Sequence, residues 1–301
     1  MSRNIKYFTI GCVVLIYFLF QPLPNIYNSA CLAIILLFGI PHGAADHRIN
    51  GLMHKNANMS LFILKYLLIS AGFVFWWILM PGKALVIFLI LSAYHFGQEF
   101  LEEIGILNQK LWEIMIWGSV ILFAPIFIAY QEVKPILDLA GNVSFPEFSP
   151  YVLIVMVTVI IGSAVAHLMF LIKNKKIQKV QVRRLIEMIV FTMLMFSLLP
   201  FLMAFTIYFI LFHSINSFKH QFNWIKERSN RYTLKSFFKD LSLFSILSIF
   251  GLVVFIYFLN PDSLEELTSY FFILVSVITL PHSIVFDQFY KNRKKSARLI
   301  S

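Results

Sequence analysis

An all-α fold crossing a membrane about ten times is what this chain of 301 residues predicts. Three observations predict it. Hydrophobic residues make up 59% of the sequence and charged residues 13%, where ordinary globular chains are about half apolar and a quarter charged. The apolar residues gather into runs close to the roughly 20 residues a helix needs to span hydrocarbon. The basic residues gather between those runs, on alternate connections. A soluble fold with this balance could not cover its surface with polar groups. No soluble domain, low-complexity tract or fixed-period repeat interrupts the pattern, so residues 1–301 read as one integral membrane domain.

The runs are 7–23, 28–46, 60–80, 83–101, 111–130, 150–172, 185–199, 201–219, 241–259 and 268–288. The first lacks a small-residue cleavage site and reads as a retained helix rather than a signal. The seventh and eighth are separated only by Leu199 and Pro200, where proline suits a tight turn or kink. Cationic loops orient the rest. With Arg3 and Lys6 inside, the inner connections carry Arg48 and Lys55, then six cations in 173–184, then Lys226, Arg228, Arg231, Lys235 and Lys239. The outer loops 131–149 and 260–267 are acidic instead, with Glu132, Asp138, Glu147, Asp262, Glu265 and Glu266. Both termini are therefore expected on the cytoplasmic side of the cell membrane. The net charge of +10 is then a sorting signal, and without an aqueous basic domain nucleic acid is not an expected partner. Cys12 and Cys31 lie inside apolar runs with no disulfide or zinc spacing.

Histidine inside a span marks a functional site by default. Of the eight histidines, His42, His95, His213 and His282 each fall late in an even-numbered span. Each lies about 12–15 residues past its start, roughly 20 Å down. Four imidazoles from four helices thus reach one depth in the cytoplasmic half. Imidazole suits Fe, Cu, Zn and Ni, and helix bundles build metal sites from inward side chains. Paired haem ligation would use two of the four and leave the others unexplained. The bland reading of any one of them is a hydrogen-bonded packing residue; the shared depth is what favours ligation. His167, slightly deeper, is a candidate neighbour.

Carboxylates lie near these histidines in sequence. Asp46 is four residues after His42 and Glu99 four after His95, each on the same helical face, and Asp287 is five after His282. Such acids orient ligating imidazoles by accepting their other N–H, unless they are merely solvated at the membrane boundary. Gly43 and Gly97 let helices approach closely or leave room for a ligand. Tyr94 and Tyr208 are candidates for placing a hydroxyl near the site.

At these residues the sequence resembles a known family. Gly39–Asp46, Tyr94–Gly97, Phe212–Ser214 and Pro281–Asp287 are similar, in order and spacing, to the motifs of the Brp/Blh family of membrane β-carotene 15,15′-dioxygenases. The resemblance implies an iron(II) enzyme that cleaves β-carotene centrally with O₂ to give two retinals, drawing its carotenoid from the membrane lipid. It implies His42, His95 and His213 as ligands. The family's third motif places a second histidine at the position of Ser217, and the next histidine here is His220. His213 and His220 stand about two turns, roughly 10.5 Å, apart on a straight helix, so only a break or bulge after Asn216 would bring His220 to the ion. His282, at matching depth, is the favoured fourth ligand and His220 its rival. The second motif departs too: the usual acid position is Phe100, with Glu99 one place earlier.

Many of the 33 phenylalanines cluster near the motifs, where aromatic faces suit a polyene, although most such residues face lipid or pack helices. Two other function classes stay open from sequence. A histidine-box oxidase or desaturase binding two irons would show HxxxH and HxxHH pairs, which are missing. An intramembrane histidine transporter of metal ions or protons would favour a broken helix and a polar pathway, whereas acids are nearly absent from span centres.

Overall fold

Lipid offers no hydrogen-bond partners, so an apolar chain closes its backbone hydrogen bonds within helices. The computed structural model describes residues 3–20, 23–54, 58–106, 109–229 and 231–298, and among them it contains helices and no strand. In order they are α1 (Arg3–Phe20), α2 (Pro24–Gly43), α3 (Asp46–Met53), α4 (Met59–Leu79), α5 (Pro81–Glu103) and α6 (Leu111–Ile128). There follow α7 (Tyr130–Gly141), α8 (Pro150–Lys173), α9 (Lys179–Leu198), α10 (Phe201–Arg228), α11 (Leu234–Leu259) and α12 (Leu264–Arg298). Lys55, one of the loop cations, and residues 21–22 at the end of the first apolar run lie outside the described residues.

Local chemistry sets the boundaries. Pro24, Pro81 and Pro150 open helices, where a missing N–H is harmless. The side chains of Asn58, Ser149 and Thr233 accept from the backbone N–H of Leu61, Val152 and Ser236, satisfying first-turn donors. Asn142 and Asn260 take the left-handed conformation that ends α7 and α11. Pro200 separates α9 from α10.

Among the described residues, eight helices are long and apolar enough to cross a membrane, against the ten spans expected. The other two runs are helical as well. The apolar part of α1, Ile5–Phe20, is shorter, and every stretch of spanning length in α9 includes Arg183, Arg184 and Glu187. The expected outer loop 131–149 is not all loop, because it contains α7.

Most of α5 and α10 is buried, while α4, α8 and α11 turn largely apolar faces outward. The tightest crossing joins α5 to α6. A Cβ on Gly97 would lie 2.1 Å from the Ile114 carbonyl oxygen, and one on Gly118 would lie 1.9 Å from that of Ala93. Backbone meets backbone there, as small residues permit. This crossing sits half a turn from His95.

Two helices contain a wide, π-type turn: Ser119–Phe123 in α6 and Phe209–Ser214 in α10. Such bulges recur at functional sites, and the second one carries His213.

Candidate metal centre

The four intramembrane histidines meet. His42 comes from the end of α2, His95 from α5, His213 from the wide turn of α10 and His282 from α12, and all four are buried. The His42 ring centroid lies 4.9 Å from that of His213 and 4.7 Å from that of His282. The His95 centroid lies 5.3 and 5.2 Å from the same two.

Two of these histidines follow a proline, Pro41 and Pro281, inside a helix. A proline there frees the carbonyl four residues earlier. For Pro281 that carbonyl is Val277's, and Ser70 Oγ donates to it at 3.1 Å.

Hydrogen-bond partners fix which nitrogen each ring presents. His42 donates Nδ1–H to the Gly39 carbonyl. His282 Nδ1 lies 3.0 Å from each carboxylate oxygen of Asp46. His213 Nδ1 lies 2.7 Å from Glu99 Oε2, a close contact that is not aligned as a hydrogen bond. With Nδ1 engaged on His42 and His282, the Nε2 of each of these two rings carries its lone pair. Nε2 of His42 and of His213 face each other at 3.2 Å. Nε2 of His282 and both ring nitrogens of His95 have no hydrogen-bond partner among the described residues.

Two ring nitrogens at that distance need a proton or a metal cation between them. Two nitrogens on one ion, at ligand bonds of about 2.1 Å, are separated by about 3.0–3.4 Å. The donor set therefore fits a transition-metal ion. Donors of His42, His95 and His282 group within 4.8 Å of one another, as do those of His95, Glu99 and His213.

The remaining candidate side chains are placed differently. Asp46 does not orient His42: α2 ends at Gly43, a turn at Ala44 and Ala45 intervenes, and Asp46 begins α3 facing His282. The same-face spacing argument fails because the helix is broken there. Glu99 lies 3.9 Å from His95 Nε2, farther than from His213. Asp287 is turned away from His282; it accepts from Tyr94 Oη at 2.8 Å and Gln98 Nε2 at 3.2 Å. Tyr94 is thus engaged outside the cluster. His220 is not among the grouped donors, because the bulge in α10 ends at Ser214, before Asn216, and the following helix is regular. His167 is held elsewhere, accepting from Trp117 Nε1 at 3.1 Å and lying 3.3 Å from Glu113.

The cluster floors a cavity of about 120 Å³ lined by all four histidines and by apolar side chains of α2, α5, α6, α7, α10 and α12. Leu85 and His95, ten residues apart on α5, both line it, so it runs about 15 Å along the helix axes. Its far end is closed by Val133, Ile136, Leu137 and Ala140 of α7. That helix falls in the stretch expected as an outer loop, although its apolar spacing of three and four residues is a readable signal. It is pinned by Tyr130 Oη donating to the Pro146 carbonyl at 2.7 Å and by Lys134 bonding Asp138 at 2.7 Å and lying 3.1 Å from Glu147. Those bonds hold the Lys134 ammonium above its ordinary range. Glu132 accepts from the Phe201 backbone N–H at 2.8 Å, tying α7 to the start of α10. Below the cluster, Ile49, Trp224, Phe286, Phe289 and Tyr290 pack tightly.

Gly43 and Gly39 make room at this floor. A Cβ on Gly43 would lie 3.3 Å from His282 Nδ1, and one on Gly39 would lie 2.9 Å from the Phe209 ring.

Comparison with known proteins points to one family. Residues 33–290 match the model of the family described as Beta-carotene 15,15′-dioxygenase. Over 264 residues the chain is 27% identical to the Beta-carotene 15,15′-dioxygenase of uncultured marine bacterium 66A03, covering 85% of this chain and 91% of that one. No solved structure matches the chain. With four buried imidazoles inside a family match that spans most of its length, the chain belongs to the beta-carotene 15,15′-dioxygenase family of oxidoreductases.

Proposed function

We propose that the protein cleaves β-carotene, or a related carotenoid, at its central double bond with O₂ to give retinal, using Fe²⁺ held by His42, His95, His213 and His282. The observation that carries this reading is the convergence of unshared imidazole nitrogens at the floor of an apolar chamber. Ferrous iron, when bound, supplies the redox chemistry between O₂ and the polyene. The chain's own residues do the rest. Asp46, Glu99 and the Gly39 carbonyl fix ring orientation, so the ligand set is organised before the ion arrives. Phe96 and Phe209 present rings beside His213, with Phe205 stacked on Phe209, and these rings offer faces to a conjugated chain. Apart from the imidazoles, Ser92 and Thr279 are the polar side chains in the lining, so water is poorly held near the reacting bond.

At about 120 Å³ the chamber is smaller than the roughly 300–1,000 Å³ of usual ligand sites. Admitting a carotenoid therefore requires the surrounding helices to part, with entry sideways from the bilayer of the cell membrane and both termini on the cytoplasmic side. An apolar lining supports the cleavage reading over a transporter, which needs a polar pathway.

Expression in β-carotene-accumulating bacteria tests the reading. The cells should lose colour and yield retinal. Persistent colour with well-folded, membrane-inserted protein would overturn it.

A further inference from the structure

A second cavity, of about 440 Å³, lies between α3, α4 and the lower part of α12. Tyr66 stands between it and the histidine cluster, its hydroxyl 3.4 Å from Asp46 Oδ2 and 3.3 Å from the Ile278 carbonyl oxygen. The cavity is lined in part by apolar side chains, among them Phe62, Ile69 and Ile284. Interleaved with them on the same helices and on α3 are Lys65, Gln288 and Asn50, which offer ammonium and amide donors.

Lys65 is the one charged residue of α4, six positions inside the helix, or about 9 Å along its axis. Its side chain is exposed on the bundle surface, so the long stem can carry the ammonium toward the headgroup level at this end of the helix. Among the described residues, no carboxylate lies within ion-pair distance of it. No Asp or Glu lines the cavity either. The described residues therefore provide donors and a cation here, with no anion among them to meet these groups.

We propose that this cavity binds the phosphate of an anionic phospholipid, with Lys65 pairing the phosphate and the apolar side chains taking the first part of an acyl chain. A free phosphate ion would satisfy Lys65 equally well, but it makes no use of Phe62, Ile69 and Ile284. The cavity lies at the end of the bundle that the charge pattern assigns to the cytoplasm, where bilayers concentrate anionic lipid. The bound lipid clamps α3, α4 and α12 together beside Asp46.

The experiment uses the full-length protein, stripped of lipid in neutral detergent. Phosphatidylglycerol, phosphatidylcholine and inorganic phosphate are added separately, with thermal unfolding and native mass spectrometry as readouts. Phosphatidylglycerol should bind and raise the melting temperature, while the other two should not. Lys65→Gln should remove that shift and weaken phosphatidylglycerol binding about tenfold, the worth of one charge-assisted hydrogen bond. Lys65→Arg should keep both, and its response decides the matter if the Gln variant does not fold. Lys83→Gln, at the opposite end of the bundle, should behave as the unaltered protein. Equal stabilisation by phosphatidylcholine, or a shift that survives in Lys65→Gln, would overturn the proposal. Stabilisation by inorganic phosphate alone would replace the lipid with a free anion and overturn it as stated.

Discussion

Asp46 grips His282 through both carboxylate oxygens, at 3.0 Å each, across 236 positions of the chain. The pair joins the first motif to the last and fixes which nitrogen His282 turns inward. Asp46→Asn keeps the shape but removes the charge that favours this orientation. It should lower metal affinity about 10–100-fold with the fold intact. Metal titration of the purified variant checks this, and an unchanged affinity would refute the orienting role.

The fourth ligand is decided by comparing two variants. His282→Ala should lose bound iron and cleavage activity, as should His42→Ala, His95→Ala and His213→Ala. His220→Ala should keep both, since it stands outside the cluster. Iron retained by His282→Ala but lost from His220→Ala would reverse the assignment.

Removing the metal should also loosen the protein. An ion present at about 100 times its dissociation constant adds about 2.7 kcal/mol to stability. A membrane-permeant chelator should abolish activity and lower the unfolding temperature, with ferrous iron restoring both. A chelated protein that melts unchanged would count against a site linking four helices.

The α5–α6 crossing has no room for a methyl group. Gly97→Ala should destabilise the protein by about 1–3 kcal/mol and disturb His95 half a turn away. Gly162→Ala is the matched control, because a Cβ there meets nothing within 4 Å. Thermal unfolding in detergent separates the two. Equal behaviour would mean that the helices part easily at this point.

The helix closing the chamber can be tested through substrate length. Ala140→Phe, at the far end, should reduce turnover of a full-length carotenoid well below that of a shortened one. Metal content should stay constant. A variant equally active on both would show that substrate does not reach α7.

How much is legible in the sequence follows from what each feature depends on. Spans are readable because hydrocarbon thickness imposes a length, and His42, His95, His213 and His282 can be compared by depth for the same reason. The partner of Asp46 is not readable. Counting four residues from His42 assumes an unbroken helix, and the turn at Ala44 and Ala45 breaks it. Glu99 is legible at the right level but against the wrong ring, since its distance to His213 depends on how α10 packs on α5. Tyr66 and Lys65 sit in an unremarkable apolar run and gain meaning only once α3 and α12 are beside them. The packing helix α7 is hidden by the charges of Glu132 and Asp138, which read as loop.

The wide turn in α10 has a consequence for the rest of that helix. Phe201, Phe205, Phe209, His213, Ser217 and Gln221 recur every four residues, and all six are buried. On a straight α-helix a four-residue stripe creeps about 40° around the axis at each step, so its two ends would face nearly opposite sides. The bulge at Phe209–Ser214 gives back part of that creep. Upper phenylalanines, the imidazole and the lower Gln221, which reaches the His42 carbonyl at 2.7 Å, can then share one interior. Removing a single residue from that turn would swing everything beyond it by roughly 100°, leaving each side chain's chemistry intact and its address wrong.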